Sequence, residues 1–281
     1  MKVIRTATGL RNALKKIRQK CETVGFVPTM GALHSAHRSL IERAVRKNDR
    51  VVVSVFVNPK QFGPKEDLNR YPRPFRQDAA LCRESGVKIL YNPKPEIMYP
   101  PGFCSEVSVG PLAEVLCGRY RPGHFNGVAT VVLKLLEQVR PDRTYLGEKD
   151  FQQLVILKRM VRDLSLDTEI VGCPTIRETD GLALSSRNVY LTPRQRISAP
   201  GLHMALQAGA REARRHGATP ATVRKKMRAT ISKFPILRPQ YLEIVRTVDL
   251  RAPHTLSGRL RLLGAVKTGN TRLIDNIALT M

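Results

Sequence analysis

Two histidines three residues apart, His34 and His37, follow a short apolar run and could bind an anion. The segment 28–37 reads PTMGALHSAH, so the pair lies where we expect a strand to end and a helix to begin. Side chains three residues apart share one face of a helix, and the amide groups of a helix's first turn attract negative charge. The pair therefore predicts a phosphate site, although structural histidines with this spacing are common.

Four further polar segments offer groups for a charged or hydroxylated ligand. Amides in 58–62 could hydrogen-bond a hydroxy acid, and Lys149, in a charged turn, could contact phosphate as a point charge. The serine-rich loop 180–188 and its arginine could close over a polyphosphate and neutralise charge during transfer. The segment 121–127 contains a histidine that could contact an anion or cap a helix. Each segment also fits an ordinary turn or linker, so none decides the function alone.

Taken together, six segments resemble the pantothenate synthetase family, the pantoate and β-alanine ligases of the cytidylyltransferase-like, class I synthetase-like superfamily. They occur in the family's order along nearly the whole chain: PTMGALHxxH at 28–37, VFVNPxQF at 55–62, RPGHFxGV at 121–128, GEKDxQQL at 147–154, DGLAxSSRN at 180–188 and TRLIDN at 271–276. The resemblance implies an ATP-dependent ligation in coenzyme A biosynthesis. Pantoate first becomes pantoyl adenylate with release of pyrophosphate, and β-alanine then displaces AMP to give pantothenate.

The resemblance also implies roles for individual residues. The implied catalytic residues are His37 as proton donor, His34, Lys149 and Arg187. The implied ATP-binding residues are Met30, Gly31, Ala32, Leu33, His34, Ser35, Ala36, His37, Gly147, Glu148, Lys149, Asp150, Ile176, Leu184, Ser185, Ser186 and Arg187. The implied substrate-binding residues are Gln61 and Gln153 for pantoate, Gln61 also for β-alanine, and Asn58, Tyr71 and His124 for the pocket wall. Mg²⁺ would accompany ATP, no residue is assigned to a protein-bound metal, and the enzyme would be a homodimer.

Two residues depart from the family's pattern. Ala36 stands where the family usually has glycine, and Arg38 where it has an apolar residue. The Ala36 methyl group would obstruct ATP if the glycine serves close backbone approach, whereas Arg38 is harmless if it points to solvent. We expect an active enzyme with lowered ATP affinity, and a catalytically weakened homologue is the alternative.

The elements that must position these segments follow from the apolar pattern. Between residues 23 and 175, short β-branched runs alternate with segments of helical period, which predicts parallel strands joined by helices. The expected strands are 24–27, 51–57, 87–91, 144–146 and 169–173, and the expected helices are 37–47, 76–85, 124–139 and 151–163. Ligands bind beyond the carboxyl ends of such strands, where most of the polar segments lie.

The pattern changes after about residue 190. A helix is expected from Thr192 to about His216, a second one after Thr219, and strands at 241–248, 260–266 and 272–274. We therefore predict an α/β fold, a Rossmann-like doubly wound parallel sheet at 1–184 that binds nucleotide and pantoate. A smaller α+β domain at 185–281 would form a lid and take part in dimerisation.

Charge and composition restrict the partners. The 281 residues include 48 Lys and Arg against 23 Asp and Glu, a net charge of +25, which favours anionic partners. We expect small-molecule substrates and neither nucleic acid nor membrane as partners, with an RNA-binding nucleotidyltransferase-like module as the alternative. The longest apolar run, 51–57, is too short to span a bilayer, and the five scattered cysteines fit a reducing cytoplasm. The basic, acid-free residues 1–20 also resemble a transit peptide, but the spacing of Leu10, Leu14 and Ile17 indicates a structured domain.

Overall fold

The computed structural model describes residues 1–64 and 66–281, which form a six-stranded and a three-stranded sheet. The larger sheet is parallel and has the order β1-β4-β3-β2-β5-β6. Its strands are Lys2–Ile4 (β1), Val24–Thr29 (β2), Arg50–Val55 (β3), Ile89–Tyr91 (β4), Arg143–Gly147 (β5) and Glu169–Cys173 (β6). The chain moves outward from β2 through β3 and β4 and then returns to β5 on the other side of β2. Such a reversal opens a crevice at the carboxyl ends of the strands.

Helices cover both faces of this sheet. They are Ala7–Arg18 (α1), Ser35–Lys47 (α2), Phe75–Glu84 (α3), Pro95–Met98 (α4), Cys117–Tyr120 (α5), His124–Val139 (α6) and Phe151–Asp163 (α7). Neighbouring residues of β2 face opposite sides: Phe26 packs in the cluster with α1, α6 and α7, and Val27 packs in the cluster with α2 and α3. Because both faces are buried, the central strands are mostly apolar, and the serine of β3, Ser54, is fully buried.

A smaller unit follows. It contains the helices Pro193–Ser198 (α8), Gly201–Ala213 (α9) and Pro220–Ile231 (α10), and the antiparallel strands Arg238–Arg246 (β7), Arg259–Thr268 (β8) and Thr271–Thr280 (β9). The prediction of one helix from Thr192 to about His216 is wrong, because the helix is interrupted before Gly201. Pro200 causes the break, since proline has no amide hydrogen and its ring clashes with the preceding turn.

The predicted fold class is confirmed: a doubly wound parallel sheet precedes a smaller α+β unit. The boundary at 184/185 stays a prediction, and Leu182 already packs in the core of the smaller unit. Within the described part of the chain, no helix has the length and apolar character needed to cross a bilayer. All five cysteines are free thiols.

Candidate active site

A cleft lies beyond the carboxyl ends of β2 and β5, at the reversal of strand order. Most of the predicted site residues line it: Met30, His34, Ala36, His37, Asn58, Gln61, Tyr71, His124, Gly147, Lys149, Asp150, Gln153, Ile176, Leu184, Ser185, Ser186 and Arg187. The other predicted residues border these segments without lining the cleft: Gly31, Ala32, Leu33, Ser35 and Glu148. The fold therefore brings together side chains that are up to 157 residues apart, from Met30 to Arg187.

The loop after β2 is held by Asp78 of α3, a residue that the sequence patterns do not single out. Its carboxylate accepts the amide hydrogens of Ala32 at 3.0 Å and Leu33 at 2.7 Å. The loop turns through a positive φ of 84° at Gly31, where a Cβ atom would lie 2.9 Å from the same carboxylate. Asp78 is 1% exposed, and burial raises the pKa of its carboxyl group. These loop amides bind Asp78, so they support the loop and leave ligand contact to the residues that follow.

His34 and His37 lie side by side at the start of α2, with ring centroids 4.2 Å apart. The His34 amide donates to Nδ1 of His37 at 3.3 Å, which leaves the hydrogen of the neutral His37 ring on Nε2. Burial, assisted by the charge of Lys149, lowers the pKa of His34 to about 4. Burial also lowers the pKa of His37, to about 3, with smaller effects from His34 and Lys149. Both rings are therefore neutral near pH 7, a state that suits hydrogen-bond donation better than proton release.

The two departures from the family pattern occupy different surroundings. Ala36, in the first turn of α2, lines the cleft beside amides that have no partner within the helix. Arg38 forms an ion pair with Glu84 at 2.7 Å, and both side chains are well exposed. The Arg38 charge is thus directed to the protein surface, and only Ala36 bears on a ligand in the cleft.

After β3, Asn58 fixes the orientation of the Gln61 side chain. Asn58 is 1% exposed, and its Nδ2 donates to the carbonyl of Gly127 and to Oε1 of Gln61, both at 3.0 Å. Its Oδ1 accepts the Tyr99 hydroxyl at 2.7 Å. With Oε1 engaged, Gln61 directs Nε2 toward the sulfur of Met30, at 3.1 Å. Asn58 therefore positions Gln61 more than it offers groups of its own.

Helix α6 supports the same segment from behind. A Cβ atom on Gly127 would lie 2.2 Å from the Lys60 carbonyl oxygen, so only glycine permits this approach. Nδ1 of His124 donates to the Gln61 carbonyl at 2.8 Å, while Nε2 accepts from Arg121 at 2.8 Å. Burial and the Arg121 charge lower the pKa of His124 to about 4. His124 is thus a neutral ring whose two nitrogens are both used in the protein.

Two segments, 67–71 and 186–190, meet over the cleft. The Asp67 carboxylate accepts two hydrogen bonds from the Arg187 guanidinium, at 2.8 and 3.0 Å. The Tyr71 hydroxyl lies 3.2 Å from Oγ of Ser186, and the Tyr190 hydroxyl donates to a backbone carbonyl of the first segment at 2.8 Å. The cleft beneath has a volume of about 230 Å³, below the roughly 300–1,000 Å³ of small-molecule sites.

The turn after β5 carries two charged residues of the site, Lys149 and Asp150. The Lys149 ammonium lies 3.7 Å from the Asp150 carboxylate, and both residues line the cleft. The Glu148 side chain instead accepts a hydrogen bond from Arg261 at 2.9 Å, which accounts for its absence from the cleft lining. In 1–64 and 66–281, no group of three or more His, Cys, Asp and Glu side chains is placed to hold a metal ion.

Comparison with known proteins identifies the family. The family model for the pantoate-beta-alanine ligases matches residues 2–278. The chain belongs to the pantoate-beta-alanine ligase family. The predicted family is confirmed, and with it the predicted ligase activity that joins pantoate and β-alanine.

Relatives and solved structures agree with this membership. The pantothenate synthetase of Moorella thermoacetica is 48% identical over 279 residues, with 99% of each chain covered. The crystal structure of pantothenate synthetase from Thermus thermophilus superposes with a TM-score of 0.95, at 48% identity and full coverage of both chains. A pantoate-beta-alanine ligase from Francisella tularensis, complexed with beta-gamma ATP and β-alanine, has a TM-score of 0.80 and 35% identity over 99% of this chain and 97% of its own.

Proposed function

We propose that the cleft binds ATP, (R)-pantoate and β-alanine together and forms pantothenate through a pantoyl adenylate. The observation that carries this proposal is the convergence of two neutral histidines, two cations and an oriented amide on one cavity. The crystal structure of the Francisella ligase, which is complexed with beta-gamma ATP and β-alanine, supports the choice of ligands. ATP is thus a substrate, and the adenylate is the activated form of the acid.

In the first step, a pantoate carboxylate oxygen attacks the α-phosphorus of ATP. An acyl–oxygen–phosphorus bond forms, the bond to the β-phosphate oxygen breaks, and pyrophosphate leaves with the electron pair. Negative charge builds on the phosphoryl oxygens, and fixed cations and hydrogen-bond donors lower that barrier. Lys149 and Arg187 would supply the charge, and Nε2–H of His37 would donate a hydrogen bond. Arg187 must exchange Asp67 for phosphate to do so.

In the second step, the unprotonated amine of β-alanine attacks the acyl carbon of the adenylate. A carbon–nitrogen bond forms, the carbon–oxygen bond to AMP breaks with its electron pair on the AMP oxygen, and the proton of the amine passes to solvent. Gln61 and Gln153 would hold pantoate in both steps, since their amides lie in the cleft. The fixed orientation of Gln61 is an entropic advantage, because its Nε2 donor is already directed before the substrate arrives.

Mg²⁺ would enter with ATP as part of the substrate. Magnesium usually keeps several waters and is held by substrate phosphates plus one or two carboxylates. Asp150, half exposed beside Lys149, is the carboxylate in the cleft that fits such a contact.

We also propose that the protein is a cytoplasmic homodimer, as the resemblance implies. Analytical ultracentrifugation tests the dimer.

Product analysis tests the proposed reaction. Protein supplied with ATP, Mg²⁺ and pantoate should release pyrophosphate, and AMP and pantothenate should appear only after β-alanine is added. Lys149→Met is the site variant, and Arg38→Gln, with its ion pair at the surface, is the matched control that removes one charge outside the cleft. The absence of pyrophosphate release in every combination of substrates would refute the proposal.

A further inference from the structure

The turn that carries Lys149 is held from outside the parallel sheet, by a polar side chain of β9. Both hydrogens of the Asn276 side-chain amide are used: Nδ2 donates to the carbonyl oxygens of Glu148 and Lys149, each at 2.9 Å. Asn276 is 3% exposed. These two bonds cross from the smaller unit to the backbone of the nucleotide turn, so they connect the two sheets at the site itself.

The orientation of that amide is fixed by Arg261 of β8. Nε of Arg261 donates to Oδ1 of Asn276 at 2.6 Å, so the amide can present only its nitrogen to the turn. Nη2 of Arg261 donates to the Glu148 carboxylate at 2.9 Å, and the guanidinium lies 4.2 Å from the ring centroid of Phe151. Arg261 thus contacts the turn, the first residue of α7 and Asn276 at once, and it is 8% exposed.

We propose that Asn276 is a positioning residue for adenylate formation, with Arg261 as its support. By holding two consecutive carbonyls, Asn276 fixes the peptide planes on both sides of the Lys149 Cα atom and so directs its ammonium group into the cleft. This inference rests on the proposed contact of Lys149 with the phosphates of ATP. Neither Asn276 nor Arg261 lines the nucleotide cleft, so their effect is transmitted through the turn.

The test uses Asn276→Asp, which keeps the shape and the acceptor for Arg261 but replaces the donor with an oxygen. Two carbonyl oxygens then face a carboxylate, and the turn must shift. Displacement of a catalytic group by a fraction of an ångström to an ångström costs on the order of tenfold to a hundredfold. We expect the KM for ATP in pantoate-dependent ATP–pyrophosphate exchange to rise at least about tenfold, while the KM for β-alanine in the complete reaction stays within about twofold.

A matched control separates positioning from loss of stability. Leu279→Ala lies on the same strand, is 1% exposed in the parent, and packs in the apolar core of the smaller unit. It should lower the melting temperature yet leave the KM for ATP within about twofold, since it does not touch the turn. An unchanged KM for ATP in Asn276→Asp, or an equal rise in Leu279→Ala, overturns the proposal.

Two more variants complete the design. If Asn276→Asp does not fold, Arg261→Lys keeps the charge and removes the Nε–H bond to Asn276; a several-fold rise in the KM for ATP supports the proposal, and an unchanged value overturns it. Lys149→Met tests the underlying assignment. An unchanged KM for ATP in that variant means that the proposed role of Lys149 fails, whereas an effect there without one at Asn276 means that the positioning role fails.

Discussion

Asp78 offers a direct measure of how much the loop after β2 depends on one buried carboxylate. An amide hydrogen left without a partner in a buried site costs about 1–3 kcal/mol. Asp78→Ala removes the hydrogen-bond acceptor of both the Ala32 and the Leu33 amide, so it should lower the free energy of unfolding by about 2–6 kcal/mol. Asp78→Asn keeps one acceptor and should cost about 1–3 kcal/mol. Burial raises the pKa of Asp78, which shows that its charged form is destabilised in the folded protein. Because both variants remove this charge, the two losses in free energy of unfolding should fall in the lower half of their ranges.

Urea denaturation followed by circular dichroism measures both costs, and ATP titration reports whether the loop still supports His34. Glu84→Gln on the same helix is the matched control, because its ion pair with Arg38 is exposed and such pairs contribute about 0–1 kcal/mol. The reasoning is refuted if Asp78→Asn unfolds within about 0.5 kcal/mol of the parent, or if Glu84→Gln costs as much as Asp78→Ala.

Three further predictions concern the cleft. Ala36→Gly should lower the KM for ATP several-fold by removing a methyl group beside the first-turn amides; an equal KM in parent and variant would show that the methyl group does not crowd the nucleotide. The pKa of His37 is about 3 in the folded protein and near 6.5 when unfolded, so stability is lost as the pH falls below about 6.5. Between pH 7 and 5 this effect should lower the free energy of unfolding by about 2 kcal/mol. Urea denaturation of His37→Gln should show a fall that is smaller by this amount. Asp67→Asn should free Arg187 and lower the KM for ATP about fivefold, corresponding to about 1 kcal/mol, whereas Arg187→Ala should raise it; a higher KM in Asp67→Asn would contradict the exchange of partners.

The sequence predicts the parallel sheet well because its central strands are mostly apolar and the apolar residues of its helices recur with clear helical spacing. Strand 169–173 coincides with β6, and helix 124–139 coincides with α6. β9 is longer than the predicted strand 272–274, because its pairing with β8 continues through residues whose own pattern is mixed. The sequence does not predict β1, since three residues carry too little periodicity and depend on pairing with β4.

Most of the predicted site residues in the cleft belong to contiguous motifs, and Tyr71 and Ile176 are the two that lie outside them. Gln61 and Arg187 lie in such motifs, and the fold places both in the cleft. Asp78 lies in no such motif, and its partners are 45 and 46 residues away, so no local spacing points to it. Asn276 did lie in one of the six motifs, yet its partner carbonyls are 127 and 128 residues earlier. Contacts of this range depend on the fold, and no local pattern encodes them.

The close approach at Gly127 has a consequence for redesign. Because any side chain there would push against the Lys60 carbonyl, a substitution at residue 127 would displace the segment that carries Gln61. Valines of the same helix line the cleft, at positions 128, 131 and 132, whereas Gly127 does not. Efforts to admit bulkier hydroxy acids should therefore trim these valines and leave the glycine untouched.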